Sequence, residues 1–136
     1  MKNRFKIMFL SVSILTLAAC KKDEGNLPTI SFKTGGAYIS SDVSKSKGSA
    51  LVFGINAEKA EKKDVLKKFN ISKSINGGTS VSVYDQDLTG GDADKYTYDY
   101  SATLDTIVGQ TCKYTFTVTN RDGLVNQVSS TVTITQ

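Results

Sequence analysis

Five oxygen-bearing side chains recur at short intervals within one polar segment, residues 85–94, and they have the chemistry to hold a metal ion. Carboxylate and hydroxyl oxygens are the ligands that hard cations prefer, and Ca2+ takes about six to eight of them. Gly90, the sixth residue of the segment, permits a sharp turn between the ligands. The segment therefore predicts a calcium site. Its ligands would be Asp85, Asp87, Thr89, Asp92 and Asp94.

The same segment also fits a hairpin loop that holds no metal. Its spacing resembles the opening of the EF-hand calcium loop, but the twelfth position is Tyr96, where that loop needs a bidentate glutamate. Asp and Gly are also the residues that turns favour in solvated loops. Both interpretations stay open, and no other cofactor is expected.

Groups that exchange protons near neutral pH are scarce in this sequence. It contains no histidine, and its two cysteines are Cys20 and Cys112. Cys112 alternates with Tyr114 and Phe116, which predicts a buried thiol that fills the core. Carboxylate pairs remain in 85–94, but the chain has no Trp to wall an apolar cleft that would raise one pKa. We therefore expect that the protein is not an enzyme.

A row of aromatic residues follows the acidic segment. Tyr96, Tyr98 and Tyr100 alternate with polar residues, so a strand would place them on one face. Such a row could stack against sugar rings. The pattern favours packing in a core, with the hydroxyls at its rim.

The N-terminus has the three parts of an export signal. Lys2, Arg4 and Lys6 precede an apolar run, 7–17, which is shorter than the roughly 20 residues that span a bilayer. The run ends in Leu17-Ala18-Ala19-Cys20, which resembles the lipobox of bacterial lipoproteins. The resemblance implies a cleaved signal peptide 1–19, acylation of Cys20, attachment to a membrane through it, a tether 20–27 and a domain 28–136.

The start of the tether carries a second signal. Lys22-Asp23-Glu24 resembles the export signal that follows the acylated cysteine in many Bacteroidetes surface lipoproteins. It implies an outer-membrane protein exposed at the cell surface. The alternatives are a protein that faces the periplasm and an ordinary solvated linker.

Charge argues against a nucleic-acid partner. The chain has 17 basic and 13 acidic residues, and loss of the three basic residues of the signal leaves 14 against 13. Arg121 is then the only arginine, so donors for bidentate phosphate and base contacts are almost absent.

Alternating apolar residues between turn signals predict an all-β domain. The turn signals include Asn76-Gly77-Gly78, which favours a hairpin. About seven strands in 28–136 predict an antiparallel β-sandwich of immunoglobulin-like architecture. One segment differs, because 57–66 follows a capping Asn56 and contains strong helix formers; it predicts a short helix.

The end of the chain supports the same architecture. Residues 112–123, followed by 131–135, resemble the last two strands of bacterial Ig-like domains of the PKD and Big type. Between the predicted strands 96–104 and 112–118, Asp105-Thr106-Ile107 resembles the motif that carries O-glycans in exported Bacteroidetes proteins. That resemblance implies modification of Thr106.

These features favour a lipid-anchored envelope lipoprotein whose single domain binds or adheres to a glycan or protein. The alternative is a structural spacer or accessory subunit of an envelope complex. Loops carry the specificity of such folds, so the sequence does not name the ligand.

Overall fold

The computed structural model describes residues 25–136, which form eight strands and one short 3-10 helix in two packed sheets. The predicted signal peptide 1–19, Cys20 and the export signal 22–24 lie outside the described residues. None of the helices in the described part could span a membrane. The elements are β1 (Thr29–Phe32), β2 (Val43–Ser46), β3 (Ala50–Glu58), β4 (Leu66–Ile75), β5 (Val81–Asp87), the 3-10 helix (Gly90–Ala93), β6 (Lys95–Thr103), β7 (Thr111–Asn120) and β8 (Val125–Thr135).

The two sheets are unequal in width. One has three strands in the order β1-β3-β6, and the other has five in the order β2-β8-β7-β4-β5. The expected all-β class with two layers is confirmed. The expectation of a purely antiparallel arrangement is wrong for one pair, because β2 runs parallel to β8.

Alternation explains why these segments form strands. In β7, Cys112, Tyr114, Phe116 and Val118 are buried, whereas the threonines between them are partly exposed. Side chains of a strand point to opposite faces in turn, so one face joins the core and the other meets water.

The core lies between the sheets and is rich in aromatic rings. The ring of Phe53 lies with its centroid 5.0 Å from that of Tyr114 and 5.3 Å from that of Phe116. Cys112 is fully buried there, so the predicted thiol in the core is confirmed. The other side chains with no exposed surface are Leu51, Ile55, Leu66, Phe69, Ile71, Val118 and Val132.

The predicted helix at 57–66 does not form. Ala57 belongs to β3, where it pairs with Ile30 on one side and Tyr96 on the other, and Leu66 begins β4. Both side chains are buried. A helix of so few residues is marginal by itself. Because β3 extends into the start of this segment and β4 begins at its end, only a turn is left between the two strands.

A crossing segment, residues 33–42, takes the chain from one sheet to the other. It first follows β3, because the Lys33 amide donates to the Gly54 carbonyl and the Ile39 amide to the Val52 carbonyl, both at 2.8 Å. Lys33 and Tyr38 fold over Gly54, where an added Cβ would lie 2.6 Å from Lys33 Cδ and 2.7 Å from Tyr38 Cε1. Because Gly54 has no side chain, it leaves the space that Lys33 and Tyr38 occupy.

The predicted hairpin turn between β4 and β5 is present. Asn76 and Gly77 have φ angles of 50° and 72°. Two consecutive left-handed residues match the twist of the flanking strands, and asparagine and glycine adopt that conformation most readily.

The loops gather at two ends of the sandwich. The proximal end contains the start of β1 and the loops 59–65, 88–94 and 121–124; Thr29 pairs with Glu58, and the Asn126 side chain donates to the Pro28 carbonyl. The distal end contains the loops 47–49, 76–80 and 104–110. With strands of up to 11 residues, the two ends are about 35 Å apart.

Candidate functional site

The predicted calcium ligands lie at the proximal end, where β5 ends and the chain turns toward β6. Asp85 and Asp87 belong to β5 itself. Thr89 precedes the 3-10 helix, Asp92 lies in its first turn and Asp94 follows it. The segment is therefore a strand end and a helical turn, rather than a continuous loop that curls around an ion.

Two of these carboxylates already have cationic partners. Asp85 accepts a bond from Lys68 at 2.8 Å and one from the Asn70 amide at 3.1 Å, and these contacts lower the pKa of Asp85. Asp94 lies 2.5 Å from the ammonium group of Lys59. Among residues 25–136, no group of three or more acidic, histidine or cysteine side chains is arranged to hold a metal. Calcium binding stays a prediction.

The tyrosine row lies on the inner face of β6. Tyr96 is buried, whereas Tyr98 and Tyr100 are half-buried. Tyr98 stacks on Tyr84 of β5 with a centroid distance of 4.5 Å, and burial is the main cause that raises the pKa of Tyr96. Packing in the core is therefore the main role of the row, and its rim is open between β5 and β6.

A buried polar pair at the proximal end was missed by the sequence reasoning. Asp64 and Asn120 are 6% and 2% exposed, and the Asn120 amide donates to Asp64 Oδ2 at 2.8 Å. Asn120 Oδ1 in turn accepts the amides of Asp122 and Leu124. The Asn-x-Asp-Gly sequence of this turn was the available signal. The pair joins the loop 59–65 to the end of β7, and both side chains are buried, so neither is open to a ligand.

Aliphatic side chains are exposed at the distal end. Ile75 and Val81 flank the hairpin 76–80 and are 43% and 63% exposed, and Ile107 and Val108 in the loop 104–110 are 63% and 44% exposed. The two loops are neighbours, because the Asn76 amide donates to the carbonyl of the residue that begins β7. Exposed apolar groups that cluster on a surface are typical of interaction sites.

The candidate glycosylation site lies in the same loop. Thr106 is exposed, as are its neighbours Asp105 and Ile107. The Asp105 carboxylate lies 3.6 Å from the Lys73 ammonium group and accepts a 3.0 Å bond from the Gln110 amide. These contacts hold the base of the loop, and its Thr106–Val108 tip faces solvent.

Basic side chains outnumber acidic ones around the distal end. Lys45 lies near the end of β2, Lys47 begins the loop 47–49, and Lys113 lies near the start of β7. The Gly48 amide donates to the Asp105 carbonyl, so this loop adjoins the loop 104–110. The distal end is thus both apolar and basic, which suits an acidic partner surface.

Comparisons with known proteins identify the fold and no family. No protein-family model matches the sequence, and no curated protein matches it significantly. Among solved structures, it is similar to the superoxide reductase (neelaredoxin) from Ignicoccus hospitalis, with a TM-score of 0.51 and 8% identity over 80% of each chain. A variant of that protein matches with a TM-score of 0.51 and 10% identity over 85% of this chain and 86% of that one. The sporulation control protein Spo0M from Bacillus subtilis matches with a TM-score of 0.48 and 6% identity over 82% of this chain and 50% of that one.

The expectation that the chain is not an enzyme is contradicted by this comparison. Both superoxide reductase structures are enzymes, and they share this sandwich fold. The expectation rested on two features of the sequence, the missing histidine and the missing tryptophan that could wall an apolar cleft. At 8–10% identity the similarity shows the fold alone, and a fold does not specify whether its site is catalytic.

Proposed function

We propose that this chain is a lipid-anchored protein of the bacterial cell envelope and that its β-sandwich domain is a binding or adhesion module for a protein or glycan. The anchor would be Cys20 in the outer membrane, with the domain exposed at the cell surface. The Leu-Ala-Ala-Cys pattern behind a short apolar run supports this proposal. Two or more acyl chains give stable membrane residence, whereas one does not.

We also propose that the sandwich is immunoglobulin-like. Two features support this proposal. The domain has a three-stranded and a five-stranded sheet, and the N-terminal part of the domain pairs first with β3 in one sheet, through β1, and then with β8 in the other, through β2. Immunoglobulin-like domains present their loops at the two ends of the sandwich, as this domain does.

The functional proposal rests on which end of the domain the N-terminal residues enter. Its N-terminal residues enter at the proximal end, about 35 Å of strand away from the exposed Ile107 and Val108. An anchor at Cys20 would place the proximal loops next to the membrane and present the distal end outward. We therefore assign the binding surface to the distal end.

Site-specific crosslinking in intact cells tests the binding surface. A photoreactive residue at position 107 should form an adduct with a partner, whereas one at Lys62, exposed at the proximal end, should not. Adducts at position 62 alone would contradict the proposal. A glycan array probed with the wild-type protein and an Ile107→Ser/Val108→Ser variant separates a glycan ligand from a protein ligand.

The anchor is tested separately. Cys20→Ala should move the protein from the membrane fraction to the soluble fraction, and intact-mass measurement should show the loss of the acyl chains. Retention of the Cys20→Ala protein in the membrane would contradict lipid anchoring, whatever the crosslinking shows.

A further inference from the structure

One edge strand of the sandwich differs from the others in length and regularity. β1 and β2 have four residues each, and β5 has a register shift opposite Ile71 and Ser72 that interrupts its edge. β6 pairs with β3 over nine residues without a shift. Short strands and bulges protect sheet edges from pairing with other chains. Among the described strands, β6 lacks both protections.

The free backbone groups of β6 can be identified from its bonds to β3. The Leu104 amide donates to Ser49, and the Lys59 amide donates to the Asp94 carbonyl. In an antiparallel pair, the backbone groups of alternate residues bond to the same neighbouring strand. The backbone amides and carbonyls of the even-numbered residues of β6 therefore point toward β3, and those of the odd-numbered residues point away from it. The outward amides and carbonyls form no backbone bond within residues 25–136. They belong to Lys95, Thr97, Asp99, Ser101 and Thr103.

The sheet beyond this edge is uncovered. Gln86 of β5 pairs with the buried Phe69 and therefore lies on the inner face, yet its side chain is exposed. Tyr84, two residues earlier, is half-exposed and reaches the Tyr98 ring of β6. The three-stranded sheet thus stops short of the last strand of the five-stranded sheet. One more strand beside β6 would cover the inner face of β5.

We propose that the β6 edge and the uncovered face of β5 together accept an extended strand from a partner protein. The strand would complete a four-stranded sheet through the outward amides of β6. This acceptor is a different surface from the distal end and does not rest on the function proposed above. Peptides commonly bind by adding a strand to an open sheet edge, where backbone bonds give affinity and alternate side chains give specificity.

The chemistry of the edge specifies the partner. Inward side chains of the added strand meet the rims of Tyr84 and Tyr98, so they must be apolar. On the outer face, Asp99 is already bonded to Lys33 and Tyr38, whereas Lys95 has no ion-pair partner within the described residues. An acidic residue opposite Lys95 would complement it. A second copy of β6 does not fit, because the β5 strand of each copy extends beyond its β6, and the two β5 strands would meet in the same space.

Hydrogen–deuterium exchange on the full chain tests the acceptor. The probe is a synthetic nine-residue peptide that alternates valine and threonine and carries one glutamate placed to face Lys95. At millimolar peptide, exchange at the Thr97, Asp99 and Ser101 amides should slow by about tenfold. The same peptide with N-methyl groups on alternate amides should slow none of them.

A proline variant locates the effect at the edge. Thr97→Pro/Ser101→Pro removes two outward amides and no backbone bond to β3, and proline is tolerated at sheet edges. The Thr97 hydroxyl bonds to the Ile55 carbonyl and the Asn56 side chain are lost equally in the alanine control. This variant should lose binding, whereas Thr97→Ala/Ser101→Ala should keep it. Circular dichroism confirms folding, and if the proline variant is unfolded, the N-methylated peptide decides. No slowing in the wild-type chain, slowing by the N-methylated peptide, or slowing in a folded proline variant would overturn the proposal. So would self-association that protects these amides without peptide.

Discussion

Replacing Asn120 by alanine should destabilise the domain more than any other polar substitution at the proximal end. Its side chain forms a 2.8 Å bond to the Asp64 carboxylate and accepts the Leu124 and Asp122 amides at 2.8 and 3.1 Å. It is 2% exposed, and Asp64 is 6% exposed, so water does not readily replace the bond between them. Asp64 would keep only its 2.7 Å bond from the Val65 amide.

The magnitude follows from the three bonds. A bond to a charged group contributes about 1.5 to 3 kcal/mol and a neutral one about 0.5 to 1.5 kcal/mol. Solvent can reach the exposed turn and replace part of the two backbone bonds. We therefore expect Asn120→Ala to lower the free energy of unfolding by about 2 to 4 kcal/mol. At this chain length the midpoint of thermal unfolding should fall by about 8 to 16 °C.

Urea unfolding followed by circular dichroism measures the effect. Gln127→Ala is the matched control, because that side chain is exposed and forms no hydrogen bond within the described residues; it should change stability by less than about 0.5 kcal/mol. A double-mutant cycle with Asp64→Ala should give a coupling of about 1 to 3 kcal/mol. A loss below about 1 kcal/mol for Asn120→Ala, or no coupling, would refute the reasoning.

Three further outcomes test other parts of the structure. Gly54→Ala should displace Lys33 and Tyr38 and cost about 1 to 3 kcal/mol, with faster proteolysis in 33–42; unchanged proteolysis would contradict it. The pKa of Asp99 is lowered mainly by its bond from Lys33 and next by its bond from Tyr38. The Lys33–Asp99 pair therefore stabilises the fold at pH values above the pKa of Asp99 in the unfolded chain, about 3.9, and this stability is lost as the pH falls through the lower pKa of the folded state. An NMR titration should show the Asp99 pKa rising toward its ordinary value in Lys33→Met, and an unchanged value would refute the pairing. Cys112 should react with a maleimide only after unfolding, because it is fully buried; fast labelling of Cys112 in the native Cys20→Ala protein would exclude its placement in the core.

Local patterns were sufficient to predict most strands. The alternating residues of β3, β7 and β8 predict both the strands and the face that each one buries. In β4 the alternation holds through Phe69 and Ile71 but not at the end, where Ser74 is buried and Ile75 is exposed. The Asn76-Gly77 turn between β4 and β5 could be predicted as well, since its left-handed geometry depends on these two residues. In each case the signal lies within about ten residues of the chain.

Long-range pairing was not predictable in the same way. Residues 57–66 have good helix formers, but the pairing of Ala57 with Ile30 and Tyr96 decides their structure. The parallel bonding of β2 to β8 joins segments almost 90 residues apart, and no local pattern records it. The exposure of Gln86 follows from the difference in sheet width, which only the strand order reveals.

The candidate sites divide in the same way. Exposure of Thr106 agrees with its position in a short loop between β6 and β7. The five oxygen ligands of 85–94 could not be positioned from spacing alone, because Lys68 and Lys59 come from other parts of the chain and bind two of the carboxylates. Buried pairs such as Asp64 and Asn120 depend on a loop and a strand end that meet only in the folded domain.

The route of the crossing segment determines how the domain bears mechanical load. A pull applied at residue 25 against the distal end acts along the strands, and therefore shears the hydrogen bonds that hold β1 to β3 and β2 to β8. Bonds loaded side by side must rupture together, whereas bonds peeled from one end rupture singly. Extraction of the N-terminal segment would therefore have to shear contacts in both layers in succession, so the fold resists unfolding by tension applied at its N-terminal side.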